Sequence, residues 1–509
     1  MAAIITDLLR VNNARNFIEK IRDANRSYYT FIGLPNASEV SSSWDTSPPS
    51  PRDCFDDANT YYDTMLALKK ISADDIRPVV RKIGWASATI YDMYRHDVNR
   101  NNLSRPSNKT SLYASNYYVV NSEFRVYICL NNGIDPENPN GRPSLDEPLF
   151  TDLEPRAAGT SGDGYIWKYL YTISPSDVIK FDSLNFIPLP VDWETNSVYQ
   201  TVRNNAITSG QLKTVTITNR GFLVGPPNIT YSRVPIRGDG TGAECTIVVN
   251  NDSKVESITV SNGGSGYTYG SVDLVGGNVP TGSTTPTFDV IIPPPGGHGE
   301  DSVVELGAFR VMINAKLSYD EGAGDFPVDN DYRRIGLITN PLKFGTEELI
   351  SDLTVSATKA VIFPPTFQGN YVPDEIITQT RVVGGTNVTA RARVISWNAT
   401  TKLLKYYQNS VDGIFPEVTG TQNEFDGSNV ISGATSGAAG QPDVNFPAVP
   451  NSSSRTINNT EYDLGMKFNN GYAKPEIKSG SGQVVYIDNR RAISRANDQV
   501  EDIKIVIEF

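Results

Sequence analysis

Residues 162–173 read Gly-Asp-Gly-Tyr-Ile-Trp-Lys-Tyr-Leu-Tyr-Thr-Ile, a tight-turn signal followed at once by alternating aromatic positions. Tyr165, Trp167, Tyr169 and Tyr171 fall two residues apart. In a β-strand, successive side chains point to opposite faces, so all four are predicted to share one side. Each ring can remove roughly 150–250 Å² from solvent. Such a face must be covered, as the floor of a core, the seat of a partner subunit or a stacking platform for a ligand. The opposite face carries Ile166 and Leu170. The strand therefore reads as buried on both sides, which favours a core or permanent interface over a sugar-binding surface.

The same β texture dominates the chain. Short runs at 117–120 and 124–130 are separated by Asn, Gly, Pro and Ser clusters, without the intervening helices that a parallel sheet requires. Helix signals concentrate near the start. Ala14, Phe17, Ile18 and Ile21 form one apolar stripe, and a second helix is expected over 57–71, capped by Asp56 or Asp57, with Tyr61, Tyr62, Met65 and Leu68 inward. A strand is expected at 28–32 and a loop at 41–51.

At 509 residues the chain is too long for one core, and about three domains are expected. Two stretches differ in character from the rest. In the first, Val215-Thr-Ile-Thr-Asn-Arg-Gly-Phe222 is echoed about 43 residues later by Ile258-Thr-Val-Ser-Asn-Gly-Gly-Ser-Gly-Tyr267, with a hairpin turning at 250–253 between them. The second holds a related hairpin, 389–397 returning through 402–407. The expected fold is mainly β, an antiparallel β-sandwich-like multi-domain protein with a few N-terminal helices and two inserted β domains. Segments 1–200, 296–343 and 476–509 are assigned to a frame, and 201–295 and 344–475 to the inserts.

Formal charge is −12, so no broad basic surface is available for phosphates and nucleic acid is not an expected partner. No run reaches the roughly 20 apolar residues needed to cross a bilayer, and the first residues lack a secretion signal. Folding in a reducing cytoplasm is expected. Cys54, Cys129 and Cys245 have no zinc spacing and read as buried thiols.

His96 and His298 are the sole histidines, which argues against a His-dependent triad or a His-rich metal site. His298 sits in a Pro/Gly-rich connection ending at Glu300; a structural linker is favoured over a functional His–Glu pair. Adjacent carboxylates at Asp56/Asp57, Asp74/Asp75 and Glu347/Glu348 do not face each other across a substrate. The run at 329–334 fails as a calcium loop because Arg333 and Arg334 occupy ligand and glycine places. Glycines at 238–242 precede a strand, so they offer no helix N-terminus to a phosphate. No catalytic, cofactor-binding or metal residue is nominated. Basic pairs at Arg81/Lys82, Arg333/Arg334 and Arg490/Arg491 read as solvated charge or as contacts to an acidic partner.

Four ordered segments carry a resemblance. They are Asn16-Phe17 with Val79-Val80-Arg81-Lys82 leading to Trp85; Gly162-Asp-Gly-Tyr-Ile-Trp-Lys-Tyr-Leu with Phe186-Ile-Pro-Leu-Pro190; Arg333-Arg-Ile-Gly-Leu-Ile-Thr-Asn-Pro341; and Val485-Tyr-Ile-Asp-Asn-Arg490 followed by Asp498-Gln499 and the last strand, 503–509. Together they resemble the baseplate wedge subunit of T-even-type contractile-tailed bacteriophages, the gene eight product family, whose shorter members lack the two inserts. The resemblance implies a virion structural protein without enzyme activity or cofactor, assembled in the host bacterial cytoplasm. It further implies a homodimer that contacts other wedge subunits and takes part in baseplate rearrangement on host attachment. Through the inserts it could meet tail-fibre or sheath-proximal proteins. Tyr165, Trp167, Tyr169, Tyr171, Arg333, Arg334, Arg490 and Arg491 are the candidate packing and interface residues. The competing reading is a tail component that binds or cleaves host-surface carbohydrate; a secreted β-sandwich adhesin is a third, weakened by the missing signal sequence and odd cysteine count.

Overall fold

The computed structural model describes residues 4–35, 41, 43–53, 61–206, 210–318, 331–408, 417–418, 421–422, 424–494 and 500–509. Cys54, Asp56, Asp57, Asp329, Asn330, Asp498 and Gln499 lie outside them. The protein is mainly β, with 41% strand against 10% helix in several antiparallel sheets. Two units emerge: Met1–Ile18, Arg77–Met312 and Val506–Phe509 form the first, Glu19–Ile76 and Ile313–Ile505 the second. Segment 201–295 lies in the first and 344–475 in the second, while the segments assigned to a frame are shared between both.

In the first unit, the helix Asp7–Arg22 buries Val11, Ala14 and Ile18, while Phe17 is half-buried with its ring 5.4 Å from that of Phe509. The central sheet orders Tyr118–Val120, Arg125–Asn132 and Tyr165–Thr172. Tyr165, Trp167 and Tyr171 are buried here, each at 1% exposure or less. Trp167 stacks on Tyr165 at 5.3 Å and meets the edge of Tyr91 at 5.9 Å, and Tyr171 meets Trp193 at 6.0 Å. Burying a large apolar side chain fully stabilises by roughly 1.5–3 kcal/mol relative to exposure.

The uniform alternation of four rings does not hold. Tyr171 pairs with Val126 and Tyr169 with Tyr127, so Leu170 is an extra residue in the ladder. This bulge breaks the period of two: Leu170 and Tyr171 are both buried, and Tyr169 is half-buried.

Segment 201–295 has its own apolar cluster, including Val234, Ile236, Cys245, Ile247, Val249 and Val255. Its four-stranded sheet runs in the order Val255–Ser265, Thr241–Val249, Thr230–Gly238, Gly270–Val272. The glycine-rich run at 238–242 is the turn of the first hairpin. Thr214–Asn219 pairs instead with Thr287–Ile291. The two sequence echoes thus sit in different sheets and are not a structural repeat. Cys129 and Cys245 are buried free thiols.

The second unit contains a five-stranded sheet ordered Thr354–Ser356, Met65–Lys70, Tyr28–Gly33, Asp331–Thr339, Gln483–Ser494. This corrects the expected second helix: only a turn at 61–63 is helical among the described residues of that stretch, and Met65–Lys70 is a strand. Met65, Leu66, Ala67 and Leu68 are all buried between neighbouring strands, and a short apolar run closed on both faces suits a central strand. Gly336 lies where a Cβ would come within 2.3 Å of the Phe31 ring and 2.7 Å of Tyr486 O. The later hairpin is present as Thr386–Asn398 and Leu403–Tyr407 within a seven-stranded sheet.

Candidate functional site

Strand Tyr165–Thr172 also carries Lys168 on the face between Ile166 and Leu170, where it is 1% exposed. An enclosed ammonium must replace water with fixed acceptors. Lys168 Nζ donates to Leu153 O and to Asn205 Oδ1, both at 2.6 Å. Asn205 is presented by the helix Gln200–Ala206, which continues from a turn capped by Asn196. Its Nδ2 donates to Glu154 Oε1 at 2.8 Å, and Lys213 Nζ reaches Glu154 Oε2 at 3.0 Å. Amine, carboxamide and carboxylate therefore form one continuous chain of hydrogen bonds.

Burial pushes the Lys168 amine down to about 8, against the opposing pull of Glu154 and Glu305. Burial also acts to raise the Glu154 carboxyl, but the hydrogen bonds from Asn205 and Lys213 outweigh it and hold the group below its ordinary range. Lys168 is thus easily neutralised while Glu154 stays ionised.

A second buried polar group adjoins this chain. A Cβ on Gly299 would lie 3.8 Å from Lys168 Cε, and Gly299 N donates to Glu305 Oε2 at 2.8 Å. His298 Nδ1 and Glu305 Oε1 share a hydrogen bond of 2.6 Å, with both side chains buried. The partner of His298 is therefore Glu305 rather than the nearer Glu300. Tyr94 sets its ring edge-on to the imidazole at 4.7 Å, and Tyr117 donates to Glu305 O at 2.6 Å. The Pro/Gly connection acts as structure, folding back to give the buried Glu305 carboxylate hydrogen-bond partners at His298 Nδ1 and Gly299 N.

An open cleft of about 530 Å³ lies beside these residues, lined by Glu194, Arg203, Asn204, Gly296 and Glu300. Burial and the neighbouring Asp301 and Glu194 raise the Glu300 carboxyl. Arg15 bridges Asp301 at 2.6 Å and Glu194 at 3.6 Å. Among the described residues no group of three or more His, Cys, Asp or Glu could hold a metal ion.

The arginines selected from sequence come together in the second unit, where Asp331–Thr339 pairs with Gln483–Ser494 and Arg334 lies opposite Asn489. Their environments differ. Arg334 is 2% exposed, packs over Tyr61 at 4.7 Å and donates to Asn489 Oδ1 at 3.0 Å and Leu34 O at 3.3 Å. It is neither solvated charge nor available to a partner. Arg333 is bound to Asp45 at 2.8 Å, Arg490 to Asp488 at 2.7 Å, and Arg491 donates to Thr46 O at 3.5 Å. In the first unit Arg81 donates to Ser115 O at 2.8 Å, and Lys82 pairs with Asp182 at 2.7 Å.

Lys168 was absent from the sequence-selected set, although its place between Ile166 and Leu170 on an enclosed face carried the signal. Asn205, Glu154 and Glu305 had none, because tertiary structure alone brings them to it. No protein-family model matches the chain, and no curated protein matches it.

Proposed function

We propose that this chain is a structural subunit of a contractile-tail baseplate wedge, acting without catalysis as a homodimer in contact with other wedge proteins. The observation that carries the reading is that segments bearing the resemblance, far apart in sequence, pair with one another. Val79, Val80 and Arg81 pair with Pro188, Ile187 and Phe186. Strand Asp331–Thr339 pairs with Gln483–Ser494. Phe17 meets Phe509, and Arg10 donates to Phe509 O at 2.5 Å. The segments that carry the resemblance thus meet in β pairings and at the chain's ends, as a common frame would require.

Further support comes from apolar side chains left in solvent in the first unit: Ile4, Ile5, Leu8 and Leu9, and also Ile179, Leu184 and Val198. Of these, the closely spaced Ile4, Ile5, Leu8 and Leu9 are the kind of apolar surface that subunit contacts cover. An obligate dimer buries upward of about 2,000 Å² in total, and packed bodies that exchange discrete contacts are the physical means of a baseplate switch.

Imaging of the contractile tail with this subunit labelled tests the reading. Paired density in six wedges around the hub is expected. Density at fibre tips alone would overturn it in favour of carbohydrate recognition, which sugar binding by the full chain on a glycan array would then support.

A further inference from the structure

We infer that Lys168 and Asn205 form a self-catalysed amide cross-link, with Glu154 relaying the proton. This does not depend on the wedge reading. Three observations meet at one place. A fully enclosed strand lysine has its Nζ 2.6 Å from a carboxamide oxygen, that carboxamide directs its nitrogen at a carboxylate 2.8 Å away, and the surroundings exclude water from the amine, which is 1% exposed.

The distances suit attack. With an ordinary carbonyl bond and hydrogen-bond angle, Asn205 Cγ lies about 3.4 Å from Lys168 Nζ, the separation of a near-attack arrangement. The last torsion of an asparagine side chain is broad, so a rotation turns the carbonyl face towards the amine. The low-dielectric setting that disfavours an ammonium supplies the neutral nucleophile.

The step balances without an oxidant or added reagent. Neutral Lys168 Nζ adds to Asn205 Cγ, giving a tetrahedral carbon. Glu154 accepts a proton from the attacking nitrogen and returns it to Nδ2, to which it is already hydrogen-bonded. The Cγ–Nδ2 bond breaks, ammonia leaves, and a secondary amide joins Nζ to Cγ. Glu154 ends as the carboxylate it began as. The link ties the central strand Tyr165–Thr172 to the helix Gln200–Ala206, at the entry to segment 201–295.

Intact-mass measurement and peptide mapping of the purified full chain after incubation at mildly alkaline pH test this. The expected result is a chain lighter by one ammonia, about 17 Da, and a branched peptide joining Lys168 to Asn205. Lys168→Met and Asn205→Ala should retain full mass, and Glu154→Gln should form the link at least tenfold more slowly. The wild-type chain alone decides the matter, so a poorly folding variant does not obscure the outcome. Full wild-type mass with a free Lys168 amine, or an ammonia loss mapped to a succinimide elsewhere, would overturn the inference.

Discussion

Lys168 in the first unit and Lys359 in the second are both strand lysines with a side-chain carboxamide oxygen 2.6 Å from Nζ. Burial depresses both amines. They differ at the far end of the carboxamide. Asn205 Nδ2 meets the Glu154 carboxylate, whereas Gln408 Nε2 donates to the backbone carbonyl of Arg391 at 2.8 Å. Glu424 stands 3.9 Å from Lys359 and is also 3.9 Å from Lys474. A carboxamide replaces water equally well at both places. At Lys168 the prospective leaving nitrogen touches a carboxylate able to take up and return a proton. Lys359 is also less enclosed, with a side chain 21% exposed. The contrast separates the solvation of a buried cation from the activation of a nucleophile, which the lysine contact alone cannot do.

The largest effect is expected from one tryptophan in each unit. Trp167 is fully buried on the strand of Lys168, and Trp397 is half-buried on the hairpin of the second unit, its Nε1 donating to Asn370 at 3.1 Å. Trp167→Ala should cost about 3–5 kcal/mol and Trp397→Ala about half that, read by denaturant unfolding. Equal losses would show that Trp167 is no more tightly packed than Trp397.

Protonation gives the next effect. An amine depressed to about 8 is neutral in the folded chain between pH 8 and 10, while the unfolded chain still holds the proton. The unfolded state then binds more protons, so stability rises with pH across that window, by about 3 kcal/mol at most. Asn205→Ala, which keeps the amine free, should show this rise, and Lys168→Met should not. The wild-type chain should follow Lys168→Met, because its amine is consumed in the amide. Above pH 10 the sign reverses. Burial raises Tyr113, Tyr127 and Tyr199 to about 12, so the unfolded chain loses its phenolic protons first and stability falls. Chemical denaturation at stepped pH measures both limbs.

A third expectation concerns Lys359 directly. Peptide mapping of the same incubated chain should find Lys359 and Gln408 unlinked, since the Gln408 nitrogen donates to the Arg391 carbonyl, which cannot relay a proton as the Glu154 carboxylate beside Asn205 does. A second branched peptide there would break the distinction and show that proximity alone suffices.

Much of the architecture could be read before the structure. Hairpins within 241–265 and 386–407 are announced by Gly and Asn turns between alternating runs, a local signal. The misreading of Met65–Lys70 is also local in origin: a short apolar run fits a helix face or a doubly covered strand, and only the flanking strands decide. The Leu170 bulge is invisible in the period of two that it interrupts. Lys168 was half-legible, because a face judged buried from Ile166 and Leu170 must enclose the lysine between them. Its chemistry was not. Asn205 lies 37 positions away along the chain, and no local pattern selects it from the other asparagines.

The smallest effect sharpens the question of which cations are available to partners. Arg333 and Arg334 are neighbours, yet Arg334 is enclosed beside Tyr61 and Asn489 whereas Arg333 pairs with Asp45, whose side chain is 63% exposed. Charge reversal at both positions would confound folding with assembly, because an enclosed cation cannot be inverted without disrupting its acceptors. The Arg333 side chain is itself 18% exposed, so Arg333→Glu, which loses the Asp45 pair and sets two carboxylates together, should cost about 1–2 kcal/mol, less than inverting the enclosed Arg334. If the surface around Arg333 meets an acidic neighbour, that variant should fold and lose wedge assembly in a reconstitution followed by size-exclusion chromatography. Normal assembly would remove Arg333 from the contact surface and leave it as internal bracing between the loop at 43–53 and strand Asp331–Thr339, in the way Trp44 already donates to Arg490 O at 2.7 Å.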